Sequence, residues 1–338
     1  MSHFVQPGSE VDREAVRRAT TVYLVDRTIP MLPRMLCEVA CSLNENVDRL
    51  AFSCVWRMHR DGTLVADAPV WYGRTVIRSC ARLDYSTAQQ IIDAPIATDD
   101  EQQWKSGADW WIPARRPTDP HKLSDVAADV RLMHTVAMAR RRKRFENGSL
   151  ALHSVKLTFE LENNQDPMLA APYPMRDSNR VVEEYMLLAN YFTAQRLITH
   201  AGEKAVLRRH PPPKMDALEK AVAVAAAAGF HLDIASSESL QRSINTLARS
   251  SSHDDNGLTL HCVTHMLTLP MQAAVYFSAD AEKKCNWSHY ALNMPYYTHF
   301  TVRRQVPRTL THRGSHLGFL LNSQNSFLSC PEPHPSVP

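Results

Sequence analysis

Two histidines one helical turn apart, His261 and His265, are the first residues whose types and spacing could do chemistry. Histidines at positions i and i+4 share one helix face, as they do in zinc enzymes. No glutamate follows His261 as the HExxH pattern requires, and no third ligand is obvious. The pattern therefore favours a structural histidine pair. Cys37 and Cys41 are also one turn apart, and as buried thiols they need no metal.

Acidic clusters could hold the metal ions of a hydrolase. Residues 99–101 (DDE) and 254–255 (DD) are the obvious ones, and both lie in polar, turn-like sequence that is typical of solvated loops. A two-metal site needs several carboxylates around ions about 3.5–4 Å apart, which neither cluster supplies. Glu183 and Glu184 begin an otherwise apolar helix, where acids complement the helix dipole. The sequence predicts helix capping for these two residues and leaves a role near a substrate open.

Two basic clusters could bind phosphate. The run RRRKR at residues 140–144 fits a solvated helix end, a nuclear-import patch or a phosphate-binding stripe, and the first of these is favoured. A second cluster, LRRH at residues 207–210, precedes three prolines. The net charge of +3 is too small to imply a nucleic-acid partner, so only such local clusters could indicate one.

Aromatic and basic residues also meet near the end of the chain, where residues 293–304 read NMPYYTHFTVRR. Rings that stack on bases and arginines that bind phosphate are the components of a single-stranded nucleic-acid site. A half-buried segment followed by a solvated basic loop has the same composition. The stretch alone does not separate the two alternatives.

The elements that must position these residues are helices and short strands. Helical periodicity predicts helices over residues 124–145, with Ser124 as the N-cap, 181–200 and 215–228. Apolar, aromatic or alternating residues predict strands over residues 50–58, 70–79 and 155–161. The polar, proline-containing segment 95–120 is predicted to be a surface insertion. These elements predict an α/β mixed (α+β) fold.

Composition limits the class of protein. Hydrophobic residues make up 44% of the 338 residues and charged residues 22%, which is ordinary for a soluble protein. No apolar run is long enough to cross a bilayer, and the first residues lack the features of a secretory signal. The seven cysteines are scattered without a CxxC pair, which predicts reduced thiols and no disulfide-linked partner. We therefore expect no membrane partner.

Seven ordered motifs resemble the catalytic domain of the ribonuclease II/R family. They are TTVYLVDRTIPMLPRMLCEVACSLNENVDRLAFS, YGRTVIRSCARLDY, RRRKRFENGSLAL, SNRVVEEYMLLAN, VLRRHPPP, LPMQAAVYF and HYALNMPYYTHFT. The resemblance covers residues 1–301, and RHPPP and HYALN look most like its eukaryotic, cytoplasmic, exosome-independent branch. It implies a partial catalytic domain of the RNB type, with a mixed sheet surrounded by helices. Residues 302–338 diverge, and we expect a disordered tail there.

The resemblance also implies an activity. Members of the family are processive hydrolytic 3′–5′ exoribonucleases that thread single-stranded RNA through a channel to a site that uses Mg²⁺. It therefore implies a monomeric, cytoplasmic protein of RNA degradation. Basic residues would offset phosphate charge, and 2′-hydroxyl contacts would distinguish RNA from DNA.

Individual residues match positions at which the family contacts RNA. Tyr23 matches a base-stacking aromatic, Tyr85 another aromatic tied to RNA, and Glu184, with Glu183 as its alternative, an acid near the 3′-terminal nucleotide. Thr298, His299 and Thr301 match the first part of the family motif YTHFTSPIRRY. In the family, an arginine of this motif stabilises the scissile phosphate, and Arg303 or Arg304 is its counterpart here.

The sequence departs from the family at both ends of the resemblance. The family's metal-binding aspartates precede a segment like ADVSHFV, whereas this sequence starts at MSHFV. After Thr301 the family continues SPIRRYADVIVHR, whereas this sequence continues VRRQVPRTLTHRG. We expect the aspartate ligands to be absent and these residues alone to have negligible exonuclease activity. The alternatives are a catalytically inactive RNA-binding or decoy protein and a non-functional truncation.

Overall fold

The computed structural model describes residues 3–152, 157–162, 166–250 and 258–301, which form an α+β fold. Its helices are α1 Glu10–Arg18, α2 Tyr85–Asp93, α3 Glu101–Gly107, α4 Leu123–Glu146, α5 Asp177–Ala201, α6 Met215–Ala227, α7 Ser237–Ser250 and α8 Leu258–Thr268. Its strands are β1 Val22–Tyr23, β2 Thr28–Ile29, β3 Asp48–Val55, β4 Trp71–Arg78, β5 Leu157–Glu162, β6 Asp166–Pro172, β7 Val206–Arg209 and β8 Val275–Ser278. A π-helical turn, Met35–Ala40, precedes β3.

The strands form small antiparallel sheets. Within the described ranges each of the four sheets has two strands: β1 with β2, β3 with β4, β5 with β6, and β7 with β8. The predicted strands 50–58 and 70–79 are confirmed as β3 and β4, which pair from Asp48 opposite Arg78 to Val55 opposite Trp71. The predicted strand 155–161 corresponds to β5, although its Val155 lies outside the described residues. The mixed sheet that the resemblance implied is replaced here by separate antiparallel pairs.

The two longest helices, α4 and α5, pack against each other at the centre of the fold. Helix α4 ends at Asn147, and Gly148 adopts the left-handed conformation that terminates it, as predicted. The predicted N-cap is wrong, because Lys122 occupies that position and the Ser124 backbone N–H donates to Glu101 Oε2 at 2.8 Å. Helix α5 begins four residues before the predicted start, so Asp177 is the acid of its first turn.

Residues 95–120 are anchored in the core by four buried side chains although most of the segment is exposed, so the predicted surface insertion is wrong for these four, which are Ile96, Trp104, Ala108 and Trp111. Trp104 and Trp111 are fully buried, and they pack in one cluster with Ile91 of α2 and Ala127 of α4. Asp99 and Asp100 lie in an exposed turn, as predicted, and Asp100 also caps α3 by accepting the Gln103 amide hydrogen. Proline and acidic residues suggested a surface loop, but the two large tryptophan rings fix the segment to the core.

Three further clusters belong to the described core, one of them around Met31 and Leu32 near the N-terminus. Helices α6, α7 and α8 meet around Leu218, Leu240 and Leu267. Strand β7 packs against α5 through Leu207 and Ala194. The predicted helix 215–228 is confirmed as α6, with Gly229 in the left-handed region just after it. No described helix combines the length and apolar character that crossing a membrane requires.

Candidate nucleic-acid interface

A buried ion pair joins α4 to α5 at the level of the RRRKR run. The Arg144 guanidinium donates to Glu184 Oε1 at 2.6 Å through Nη2 and at 3.1 Å through Nε, and Nη2 also reaches Glu183 Oε1 at 2.9 Å. The side chains of Arg144 and Glu184 are 7% and 3% exposed. The prediction of a solvated basic end is thus wrong for Arg144. The prediction that Glu183 and Glu184 cap the first turn of α5 is also wrong.

The spacing of α4 explains this burial. Val136, Arg140 and Arg144 recur every four residues along α4 and are all at least partly buried, so a buried apolar position is followed by charged ones on the face that packs on the fold. Desolvation lowers the pKa of Arg140 and Arg141, and the Glu184 charge opposes this effect at Arg140. Arg141 and Arg144 pair with Glu183 and Glu184, whereas Arg140 donates to the Gly62 carbonyl at 3.4 Å. Among these five side chains the α4–α5 contact carries an excess of one positive charge, which suits a phosphate-bearing ligand.

The segment that the sequence linked to RNA, residues 297–301, lies between β7 and α5. Thr298 is fully buried, and its hydroxyl donates to the Val206 carbonyl at 2.8 Å. His299 Nδ1 is 2.7 Å from the Tyr276 hydroxyl, and the two rings are nearly coplanar. The backbone N–H and the hydroxyl of Thr301 both donate to Asn190 Oδ1. Thr298 therefore anchors the segment from inside the fold.

Asn190 of α5 is a residue of this site that sequence reasoning missed. It is 2% exposed and lies 110 positions before Phe300, whose backbone N–H it also accepts at 2.7 Å. The sequence did offer one signal for Asn190, an asparagine inside an apolar helix. A buried amide requires hydrogen-bond partners, so such a residue indicates a contact with another segment. Asn190 is the last residue of SNRVVEEYMLLAN.

The two tyrosines that match RNA-contacting positions of the family are both exposed. Tyr23, on the β1–β2 hairpin, is 65% exposed, and Tyr85, the first residue of α2, is 42% exposed. Across the described residues, neither ring packs on another aromatic ring. The Ser178 hydroxyl donates to the Tyr85 carbonyl at 2.7 Å, which ties Tyr85 to the start of α5. About 9 Å of helix axis, at 1.5 Å per residue, separates that point from Glu184.

The remaining residues that the sequence singled out are not among the described contacts of this site. The predicted clamp residues Arg303 and Arg304, and the acidic pair at 254–255, lie outside the described residues. His261 and His265 lie on α8 with ring centroids 6.5 Å apart. In the part of the chain that the structure describes, no three His, Cys, Asp or Glu side chains form a group that could hold a metal ion.

Two neutral histidines support the segment that leads to residues 297–301. The rings of His210 and His289 are 5.1 Å apart, and His289 is 7% exposed. His210 Nε2 bonds the Gln272 carbonyl at 2.7 Å, while Nδ1 accepts the Ala291 N–H at 3.3 Å, a pattern that requires a neutral ring. Burial lowers the pKa of His210. Burial, followed by the electrostatic effects of the neighbouring His210 and Arg208, lowers the pKa of His289 to about 3.

This lowered pKa predicts acid sensitivity. An unfolded histidine takes up a proton near pH 6.5, whereas folded His289 does so only near pH 3. Stability is therefore complete above pH 6.5 and falls as the pH drops below it, by up to about 1.4 kcal/mol per pH unit. Urea unfolding at pH 7 and pH 5 should show that His289→Gln loses about 1–2 kcal/mol less than the wild type over this interval. The exposed His265→Gln serves as control, and an equal loss in all three proteins would contradict the prediction.

The α+β fold places an arginine–glutamate pair between its two central helices and leaves Tyr23 and Tyr85 exposed. The chain belongs to the RNB domain family, whose match covers residues 1–302. The resemblance drawn from the motifs is thereby confirmed.

Two relatives and one solved structure are similar to the chain. It is 39% identical to DIS3-like exonuclease 2 of Xenopus tropicalis over 316 residues, which are 93% of this chain and 36% of the relative. It is 36% identical to a protein of Arabidopsis thaliana named inactive exonuclease DIS3L2, over 93% of this chain and 28% of that protein. RNase R of Mycoplasma genitalium, solved with ribose-methylated single-stranded RNA, superposes with a TM-score of 0.74 at 18% identity. That superposition covers 96% of this chain and 45% of RNase R, and it shows the fold alone. The chain spans about a third of the length of the curated relatives it matches.

Proposed function

We propose that this chain binds single-stranded RNA as part of a hydrolytic 3′–5′ exoribonuclease of RNA degradation. The observation that carries the proposal is the exposure of Tyr23, which matches a base-stacking aromatic of the family, and of Tyr85, which matches an aromatic position tied to RNA. Membership in the RNB domain family supports the reaction class. A cytoplasmic location and a monomeric state belong to the same proposal.

The physical chemistry of these residues suits a single strand. A base that stacks on an exposed tyrosine gains about 1–3 kcal/mol without regard to its identity. The excess positive charge between α4 and α5 would attract the phosphates. Arg27, 65% exposed on the hairpin of Tyr23, could contact the phosphate backbone as well. Binding of this kind is independent of sequence and weakens with salt.

The resemblance implies magnesium at the catalytic centre. The described residues do not fit that ion, because their carboxylates and histidines do not converge on one point. No step of the proposed RNA binding runs through a metal. The part of the reaction assigned to these residues is to hold and orient the strand.

A second candidate function is RNA binding without cleavage. The Arabidopsis relative named inactive exonuclease DIS3L2 favours it, because a sequence 36% identical to this chain carries that name. Labelled single-stranded RNA incubated with Mg²⁺ and the full-length protein that contains these residues separates the two candidates, because these residues alone are expected to have negligible activity under both. Stepwise shortening from the 3′ end supports the exonuclease, whereas stable binding of full-length RNA supports the second candidate.

Tyr23→Ala is expected to weaken binding of a labelled oligouridine about 5- to 150-fold, the equivalent of one lost stacking contact. Fluorescence anisotropy at several salt concentrations measures the dissociation constant. Tyr23→Phe keeps the ring and should bind like the wild type.

The matched control is Val25→Ala, a change at an equally exposed position of the same hairpin. It should leave the affinity unchanged. Equal affinity of Tyr23→Ala and the wild type would remove Tyr23 from the site. A wild type that did not bind RNA in the absence of salt would overturn the proposed function itself.

A further inference from the structure

We infer that Asn190 is a positioning residue that fixes residues 297–301 against α5 at the proposed RNA site. The inference deepens the proposed function and rests on it for its RNA-binding consequence. Its basis is one buried side chain whose hydrogen-bonding groups are directed at a segment more than 100 residues away in sequence.

The contacts of Asn190 hold the segment at both ends. Oδ1 accepts the backbone N–H groups of Phe300 at 2.7 Å and Thr301 at 2.9 Å, and the Thr301 hydroxyl at 3.2 Å. Nδ2 donates to the Tyr297 hydroxyl at 2.7 Å. Backbone N–H groups can only donate, so the side-chain oxygen must face them and the amide has one orientation. The Asn190 side chain thus accepts the two successive backbone N–H groups of Phe300 and Thr301, which would otherwise need carbonyl acceptors such as a neighbouring strand provides.

The surroundings of Asn190 make this arrangement obligatory. Its neighbours on α5 include Leu188, Ala189 and Phe192, all buried. A buried amide among apolar side chains is costly unless it is hydrogen-bonded. Asn190 can therefore occupy this position in the helix only while residues 297–301 supply its partners. The same contacts make the position of the segment depend on Asn190.

Residues 297–301 are held from two sides, by β7 and by Asn190. The Thr298 hydroxyl binds the Val206 carbonyl, and the Arg208 N–H donates to the Tyr297 carbonyl at 2.8 Å, so β7 holds one side. Asn190 holds the other side and sets the distance of the segment from Glu184, six residues earlier on α5. His299 lies between these anchors. In the sequence, only Val302 separates Thr301 from Arg303 and Arg304.

Three variants test the inference. Asn190→Leu keeps the approximate volume and removes the acceptor and the donor. Asn190→Asp keeps an acceptor for the two N–H groups, and the Tyr297 hydroxyl can turn to donate to it. Gln195→Leu removes an exposed amide from the same helix and is the matched control.

Hydrogen exchange and RNA binding are the two measurements. In Asn190→Leu we expect the Phe300 and Thr301 amides to exchange at least about tenfold faster, and labelled oligouridine to bind about tenfold more weakly. In Asn190→Asp both quantities should return to within about threefold of the wild type. Gln195→Leu should change neither. If Asn190 only filled space in the core, Asn190→Asp would not be expected to restore both the slow exchange and the RNA affinity by supplying an acceptor oxygen.

Several outcomes would overturn the inference. Unchanged exchange at Phe300 and Thr301 in Asn190→Leu would show that other contacts hold the segment. Faster exchange with unchanged RNA affinity would separate the segment from RNA binding. If Asn190→Leu did not fold, fast exchange in a folded Asn190→Asp would refute the role of the acceptor. A wild type that bound no RNA would end the proposed function, and the exchange measurement would still decide whether Asn190 positions the segment.

Discussion

Replacing Arg144 with methionine is expected to lower the free energy of unfolding by about 3–5 kcal/mol. Methionine has a similar length and no charge, so the change leaves Glu184 ionised and buried without its closest partner. Losing one member of a buried pair costs much more than the pair contributes, because the remaining charge was desolvated on folding. Arg144 and Glu184 form such a buried pair, because their side chains are only 7% and 3% exposed.

The geometry sets where in that range the loss should fall. Two donor atoms of Arg144 lie within 3.2 Å of Glu184, which makes a close bidentate pair. Arg141 Nη1 is 3.6 Å from Glu184 Oε1 and can partly compensate when Arg144 is absent. We therefore expect the lower half of the range, and we expect Arg141→Met to enlarge the loss when it is added to Arg144→Met.

Equilibrium urea unfolding at neutral pH measures the loss. Arg142→Met, at an exposed position in the same RRRKR run, is the matched control and should stay within about 0.5 kcal/mol of the wild type. The double variant Arg144→Met with Glu184→Leu should recover much of the loss, because it removes the unpaired charge. Similar stability of the Arg144 and Arg142 variants would refute the buried pair.

The local elements could be predicted from the sequence because local patterns decide them. Periodicity placed α4 and α5 within a few residues, and the strands that became β3 and β4 were recognised by their apolar and aromatic residues. Gly148 and Gly229 ended helices where the sequence indicated, since a left-handed backbone favours glycine. The long ordered motifs also gave the family correctly.

The tertiary contacts could not be predicted from the sequence. Nothing near Arg144 in the sequence distinguishes it from the exposed Arg142, because its partner Glu184 is 40 positions away. Asn190 and Phe300 are 110 positions apart. The roles of Tyr23, Tyr85, Glu184 and Thr301 at RNA remain predictions, for the structure fixes their positions and not their ligand.

Replacing Trp104 with alanine is the second large change, with an expected loss of about 3–5 kcal/mol in the free energy of unfolding. The ring is fully buried, and its N–H donates to the Ala97 carbonyl at 2.9 Å. The Arg131 guanidinium lies 5.1 Å from the ring centroid and also bonds the Ile91 and Ile96 carbonyls. Removing the ring therefore opens a cavity and loosens the contact between α2 and α4.

The control for this prediction is Trp71→Ala, because Trp71 is a tryptophan of β4 that is 49% exposed. Its loss should be smaller by at least about 2 kcal/mol in the same urea measurement, since less apolar surface leaves the core. If Trp104→Ala were as stable as Trp71→Ala, the result would contradict this prediction and support the interpretation of residues 95–120 as a surface insertion. The predicted loss also has a local consequence: α2 begins at Tyr85, so a loosened α2 should weaken RNA binding through Tyr85 even though Trp104 touches no ligand.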